Sequence, residues 1–543
     1  MPQSARFSLV PWALGLTALA FAVVVACGDG DAPTATEPPA PSSTSASGAR
    51  PADAGGSPLT NPLPGDAAAS RVPRFKEVKG VLHVHSAYSH DACDGEGIVD
   101  GGLNTACIDD LRAAPCNVGL DYVNLTDHPA HMNEYEPAKN LLYSAAKGDE
   151  LILGQDGVSP IGNLVSCPGG RKVLFTFGYE GNHTLPLMMD RHPTQYGAYA
   201  TTRPLAEVKA LVADLKSAGA LVALAHSEQA DLTADLIVEG GADLMEWYNP
   251  HGNFLKTLGV TDRVTGNPLA LLSLFGKLDP FLAGSTSGAH ADLLYLPLLT
   301  EWPVEGFTKW REVQKKRFVP GVFGSDVHQN VSIDPVCKGA AQQALCTAAA
   351  GGKNAALGLL LAGGQLVLSD GKRLDSYDRI MRWLRNVTLT NDLTPAGVKG
   401  ALREGRSYGV FSVFGEPTGF YFEGNAGGTM LDMGGLAKGP IALTMKVPDA
   451  PTPTQTAVSF DANAAKSAAV RAVLFRTDGS GTVEVASATA LGATLNKTVT
   501  EPGSYHVEIW LKPKHLTAAL GPQTALADRE FLWLISNPIR LEN

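Results

Sequence analysis

From Pro73 to Ser412 the chain alternates short apolar runs with stretches of helical periodicity, and that alternation narrows the fold more than any other feature. Apolar runs lie at Val78 to His85, Tyr122 to Thr126, Val173 to Tyr179, Leu221 to Ala225, Leu244 to Tyr248 and Val319 to Gly324. Between them, Pro204 to Ser217 and Glu305 to Lys316 read as helices. Strands separated by helices pair in parallel, because the crossover that returns the chain to the same sheet is usually a helix. The expected fold is α/β, a parallel sheet with helical crossovers, either open or closed into a barrel. In both forms the functional side chains gather just beyond the C-terminal ends of the strands.

Polar clusters fall at those ends repeatedly. The first run closes in His83-Val84-His85; residues i and i+2 of a strand project from one face, so both imidazoles can share a metal ion. An isolated pair among 13 histidines is weak. It recurs, however, as Thr126-Asp127-His128, Gly178-Tyr179-Glu180-Gly181-Asn182-His183, Ala225-His226-Ser227 and Gly324-Ser325-Asp326-Val327-His328, and Asp91 follows His85 by six positions. Each cluster alone is an ordinary cap or a satisfied histidine, whereas five in matching positions point to one centre. Imidazole and carboxylate donors without thiolate suit zinc, manganese or iron. Closely spaced divalent ions lower the pKa of a bridging water and hold phosphoryl oxygens, so hydrolysis of a phosphate ester is the expected reaction.

The series LHVHSAYSHD, LTDH, GYEGNH, LAHS and GSDVH resembles the polymerase and histidinol phosphatase (PHP) domain over residues 76 to 412. That family is a distorted (β/α)7 barrel whose members include histidinol phosphatase, nucleases and polymerase-associated phosphoesterases. The resemblance implies two or three divalent ions. His83, His85, Glu180 and Asp326 would hold one; Glu180 would bridge to a second, bound by His226 and one further histidine; Asp91, His128 and His328 would hold the third. The further histidine is His183, which opens the apolar run Thr184 to Met189, with His192 as its competitor. Glu180, Asp326 and His226 would carry catalysis, with a metal-bridging hydroxide attacking a small phosphomonoester or phosphodiester. The same hydroxide would serve for another ester, a lactone or an amide, since fold and metals do not fix the leaving group. A non-catalytic surface-binding lipoprotein is the remaining alternative, disfavoured because nearly every ligand position is filled.

Other residues have more ordinary readings. His90, His131, His251 and His290 have no family counterpart, and His251 is placed nearest to substrate. Asp127 either accepts the second N–H of a ligand imidazole or caps the backbone. Arg191 and Arg406 match phosphate geometry but read first as surface or structural cations. Leu393 to Arg406 reads as a capped helix ending at a glycine, and similar helices close the barrel in PHP-like proteins, so the catalytic domain is expected to end near Ser412.

Residues 1 to 26 hold Arg6, an apolar stretch from Leu9 to Ala26, and the context Val24-Val25-Ala26-Cys27, which looks like a bacterial lipobox. The alternative is a membrane span. The chain is thus expected to be exported and lipid-anchored through Cys27, in the periplasm or at the cell surface, on a flexible Pro/Ala/Ser-rich tether from 27 to 72. Without Cys27, six cysteines remain: Cys93, Cys107, Cys116, Cys167, Cys337 and Cys346. An even set suits disulfides; their pairing stays open, although Cys337 with Cys346 is an obvious short loop. A structural zinc site is less favoured, since no Cys-x-x-Cys pair occurs. The net charge of -11, with charged residues at 18%, argues against a broad nucleic-acid-binding surface.

Residues 413 to 543 shift to strand signals: Gly419 to Glu423, Ile441 to Val447, Ala457 to Phe460, Val470 to Arg476, Val483 to Ala486, Ala493 to Thr498, Tyr505 to Leu511 and Phe531 to Ile535. They predict an antiparallel β-sandwich, read as a docking or barrel-capping module in preference to a carbohydrate-binding one. The long segments Gly252 to Pro303 and Cys337 to Gly364 are expected to shape the substrate pocket, with Leu271 to Phe275 and Leu293 to Leu299 as a lid or a packed excursion. Oligomeric state and metal identity stay open.

Overall fold

The computed structural model describes residues 73–181, 183–196, 204–257, 280–281, 288–300, 304–333, 364–365, 367–368, 370–454 and 458–543. The expected signal and tether with Cys27, the segment Leu271 to Phe275, and Cys337 with Cys346 lie outside these residues.

The first half is built on strands β1 (Lys76–Val84), β2 (Tyr122–Leu125), β3 (Glu150–Leu153), β4 (Pro160–Ser166), β5 (Lys172–Phe177), β6 (Thr184–Leu187), β7 (Leu221–Leu224), β8 (Leu244–Tyr248), β9 (Gly321–Val327), β10 (Arg385–Thr390) and β11 (Ser407–Val410). Helices α1 (Thr105–Val118), α2 (Leu205–Ser217), α3 (Ala234–Gly240), α4 (Pro250–Thr257), α5 (Glu305–Gln314), α6 (Tyr377–Trp383) and α7 (Pro395–Glu404) lie between them. Parallel ladders join β5 to β2, β2 to β1, β1 to β9, β9 to β8 and β8 to β7, as strands separated by helices require. Strands β2, β7 and β8 are buried along their whole length, which is why they read as unbroken apolar runs rather than alternating ones. The antiparallel strands β6, on β7, and β4, on β5, extend the two ends of this series.

Those two ends approach each other. Met189 donates to the carbonyl of Phe177 at 2.9 Å, but no registered ladder closes the sheet among the described residues. A shared interior explains the curvature. Leu82, Tyr122, Leu174, Leu185, Leu187, Leu221, Leu244 and Val322, drawn from seven strands, form one buried cluster that includes Val398 and Leu402 of α7. Helix α7 is placed by its ends: Thr394 Oγ1 accepts from Gly397 N at 3.2 Å, Pro395 occupies the first turn, and Gly405 takes φ 76°. The cap is worth about 1 kcal/mol.

Strands β10 and β11, which lack clear signals in the sequence, add antiparallel beside the N-terminal half of β1. β11 then pairs with a strand from the end of the chain. The C-terminal part contains β12 (Tyr421–Ala426), β13 (Thr429–Asp432), β14 (Ile441–Lys446), β15 (Val470–Asp478), β16 (Gly481–Ala488), β17 (Thr494–Val499), β18 (Gly503–Leu511), β19 (Phe531–Ser536) and β20 (Ile539–Glu542). One four-stranded sheet runs β13-β12-β14-β17, and a second antiparallel set links β16, β15, β18 and β19. Both contribute to one core through Phe422, Leu443, Met445, Val507 and Ile509. The β19–β11 ladder, Tyr408 opposite Ser536 and Val410 opposite Leu534, makes the second set continuous with the sheet of the first half. The strand expected at Ala457 to Phe460 does not form: residues 458–460 are irregular, and Ala457 lies outside the described residues. No described helix is long and apolar enough to cross a membrane.

Two disulfides form, Cys93–Cys107 and Cys116–Cys167, with sequence separations of 14 and 51. On a chain-entropy account they are worth about 3 and about 4 kcal/mol respectively. Paired Cys→Ser variants should therefore unfold at lower denaturant, the Cys116/Cys167 pair more so. Equal midpoints with the parent protein would show that the loops are already constrained when unfolded.

Candidate metal centre

The histidine pair on β1 comes together differently from the expected i, i+2 face. β1 ends at Val84, and its registers with β2 and β9 both shift across His83, which takes φ 61°. A bulge of this kind re-aims a side chain at the end of a strand. His85 lies one residue beyond, held by its N–H to the carbonyl of Val327 at 3.0 Å. His183, His226 and Asp326 also have positive φ, of 55°, 57° and 52°. The left-handed region is uncommon outside glycine and costs of order 1–3 kcal/mol per residue where the surroundings impose it. Four of the nine residues expected to be metal ligands thus sit in backbone that only their surroundings stabilise.

The side chains converge on Glu180. Its Oε2 lies 3.1 Å from His83 Nε2, 3.2 Å from His85 Nε2 and 3.6 Å from His128 Nε2, while Oε1 lies 2.7 Å from His226 Nε2. Asp326 Oδ1 is 3.1 Å from His83 Nε2 and 3.5 Å from His85 Nε2. Asp91 Oδ2 is 3.6 Å from His128 Nε2 and 3.4 Å from His328 Nε2. Three sets of donors, each within 4.8 Å of one another, result: His83, His85, Glu180 and Asp326; His85, Asp91, His128 and His328; and His226, Glu228 and Glu246.

Five imidazoles share one orientation. Their Nδ1 atoms each have a separate acceptor: His83 has Glu246 Oε1 at 2.7 Å, His85 has Ser89 Oγ at 3.2 Å, His128 has the Glu180 carbonyl at 3.1 Å, His226 has Glu228 Oε1 at 3.0 Å and His328 has the Asp326 carbonyl at 2.9 Å. These acceptors assign the proton to Nδ1 and turn every Nε2 inward, as the partner of the other ring nitrogen does for a metal-bound histidine. Inside, Nε2 of His83, His85 and His328 and Oδ1 of Asp326 are buried without a hydrogen-bond partner. Donors bound tetrahedrally at about 2.1 Å stand about 3.4 Å apart, close to the separations around His83 and His85. The residues fit divalent ions.

Charge tells the same story. Among the described residues, every ion pair of Asp91, Glu180 and Asp326 is with an imidazole. Burial pushes these carboxyls up, yet the facing histidines outweigh it and hold all three well below the usual carboxylate range. Burial likewise opposes charge on His83 and His226, but Asp326 and Glu180 raise His83, and Glu180 and Glu228 raise His226, well above an ordinary histidine. His128 is raised against its own burial to about 10, chiefly by Asp91. His328, desolvated and beside His85, falls to about 4.

The expected further histidine is placed as follows. His183 is buried with its ring 6.0 Å from that of His226, and its Nε2 lies 3.3 Å from Asp231. It belongs to none of the three donor sets. His192 is engaged elsewhere, by the Tyr135 carbonyl at 3.1 Å and the Tyr196 hydroxyl at 2.5 Å. Asp127 accepts from the backbone N–H and the hydroxyl of Ser86, the latter at 2.7 Å, and so acts as a cap for the loop after His85. Arg406 lies over Phe75 and pairs with Glu404, and Arg191 is exposed. His251 packs its ring 5.3 Å from that of His328, and His90 lies 5.1 Å from His128. His290 caps the turn at Asp292, and His131 ends a short helix after His128.

Glu228 and Glu246 were not expected. Glu246 carries a readable signal, a lone carboxylate inside the apolar strand Leu244–Tyr248 that is fully buried. Such a charge is stable only when bonded. The disulfide Cys93–Cys107 anchors the loop that carries Asp91, and Cys93 N donates to the His328 carbonyl at 2.9 Å, joining two ligand loops.

No family model matches the chain, and no curated protein matches it. Among solved structures, the chain is similar to a two-domain protein of Bacteroides vulgatus described as containing a predicted PHP-like metal-dependent phosphoesterase. The identity is 11% and the TM-score 0.26, over 85% of this chain and 95% of the other.

Proposed function

We propose that the chain is a metal-dependent hydrolase of phosphate monoesters or diesters, built on a PHP-type barrel. One observation carries the reading: five imidazoles, three buried and two half-buried, present Nε2 to Asp91, Glu180 and Asp326, while each Nδ1 meets a separate acceptor. A structural salt-bridge network has no need of such uniform orientation. Divalent ions in these sets would supply Lewis acidity and a water acidic enough to attack at neutral pH. The protein's own part is to place the donors. Glu180 spans two sets through its two oxygens, Asp326 closes the first, and Asp91 with His128 and His328 forms the outer one, where His128 is the more exposed imidazole. His183, beside His226, is kept as the further ligand to the second ion.

The same reading extends to the ends of the chain. Residues 413–543 form a module docked on the barrel, supported by the β19–β11 ladder and the ion pair between Arg311 of α5 and Glu508 of β18. The lipobox-like context at Cys27 and the two disulfides support an exported, lipid-anchored protein. Purified full-length protein should contain at least one divalent ion per chain by elemental analysis. After metal reconstitution it should hydrolyse members of a panel of phosphomonoesters, phosphodiesters and nucleotides, and His83→Ala should not. Turnover confined to lactones or carboxylic esters would replace the phosphoesterase with another hydrolase, and protein with less than one ion per chain would remove the centre altogether.

A further inference from the structure

Glu246 has no place in the ligand set read from the sequence, yet it meets two residues of the centre. It is fully buried in the middle of β8. Its Oε1 accepts from His83 Nδ1 at 2.7 Å, and its Oε2 accepts from the backbone N–H of His226 at 2.8 Å. Asn249 donates to the same Oε2 at 3.5 Å and to Asp326 Oδ2 at 2.9 Å. One carboxylate therefore reaches His83 and His226 directly and Asp326 through Asn249, and all three are held at positive φ. The neighbouring strand makes room for it. A Cβ on Gly324 of β9 would stand 1.6 Å from Glu246 Oε1 and 3.2 Å from His83 Cβ, so any other residue there would displace the carboxylate.

We propose that Glu246 is a positioning residue that fixes His83 in the Nδ1–H form, with the Nε2 lone pair toward the metal, and pins the backbone of His226. The inference rests on the metal-centre reading above. Outer-shell acceptors of this kind are worth about 10–100-fold in metal affinity. The competing role is direct ligation, because Glu246 also falls in the donor set with His226 and Glu228. The geometry favours positioning: His226 turns Nε2, not Nδ1, toward Glu180, and the Glu246 bond to His83 is at hydrogen-bond distance.

The test uses Co(II) as a single probe in the full-length protein. Glu246→Gln keeps the size of the side chain and one carbonyl acceptor but cannot accept both bonds. Its dissociation constant for Co(II), measured by chelator competition, is expected to rise by about 10–100-fold. The number of ions at saturation should stay that of the parent, and the d–d absorption bands should shift. A merely structural role would lower the melting temperature of the metal-free protein and leave the saturated spectrum untouched. Unchanged affinity and spectrum overturn the proposal, as does loss of a whole ion at saturation, which would make Glu246 a ligand. Should Glu246→Gln fail to fold, Gly324→Ala displaces the same carboxylate and is held to the same two readouts. Parent protein that binds no Co(II) would defeat the metal-centre reading itself, an outcome distinct from a parent that binds and variants that do so equally well.

Discussion

Glu180→Gln is expected to lower hydrolysis by more than about a hundredfold, beyond the loss typical of an outer-shell change. The amide keeps the shape of the side chain but removes a negative charge that four imidazoles face, His83, His85 and His128 at Oε2 and His226 at Oε1. It also replaces one acceptor oxygen with a donor, so either the His226 side or the His83 side must meet an N–H where an ion or a lone pair is needed. On the proposed reading, one substitution would disturb two ions. Elemental analysis should accordingly show lower metal content than in the parent, and kcat should fall rather than KM rise, because the lost group acts on the reacting centre and not on remote parts of the substrate. A variant with parental kcat would mean that Glu180 bridges nothing.

How much of this was legible in the sequence depends on which force placed each residue. Strands such as Leu221–Leu224 and Leu244–Tyr248 are buried on both faces, so their composition alone announces them. β10 and β11 are written less clearly, since Arg385 and Asn386 of β10 are polar residues buried by specific partners, Glu416 and the backbone of Phe323. The convergence of His83 and His85 with Glu180 and Asp326 was legible because strand ends in parallel sheets share one rim. The means was not: a bulge with φ 61° at His83 depends on two neighbouring strands, and no local pattern encodes it. Asp127, next to a ligand in sequence, reads equally as an orienting carboxylate or a backbone cap, whereas the carboxylate that meets His83 is Glu246, two strands away through β9. The pairing of the cysteines was beyond reach for the same reason, being decided by distances between loops.

Stripping the metal is expected to abolish activity and to leave a protein whose affinity for added ions climbs with pH. In the metal-free state His83, His128 and His226 hold protons against their carboxylate partners well above the ordinary histidine range, His128 up to about 10. An ion must displace those protons from Nε2, so the apparent binding constant should rise about tenfold per pH unit for each proton released. The stability of the metal-free protein runs the other way. A group whose folded pKa is raised contributes stability that is complete below its unfolded value, about 6.5, and is lost as pH rises through the folded value, for His128 up to about 10. Below pH 6.5 the trend reverses, because His328, lowered to about 4, is protonated more readily in the unfolded chain, and below about pH 4 the depressed carboxyls of Asp91, Glu180 and Asp326 lose their contributions as well. Metal-free protein should therefore be most stable near the ordinary histidine pKa, while metal-loaded protein gains with pH. At free metal a hundredfold above its dissociation constant, a single site adds about 2.7 kcal/mol. Thermal denaturation at pH 6 and pH 8, with and without a fixed concentration of Mn(II) or Zn(II), measures both trends, and calorimetry in buffers of different ionisation enthalpy counts the protons. A metal-induced gain in melting temperature that is the same at both pH values would show that no proton leaves Nε2 when the ion enters, and the imidazoles would then be partners of the carboxylates alone.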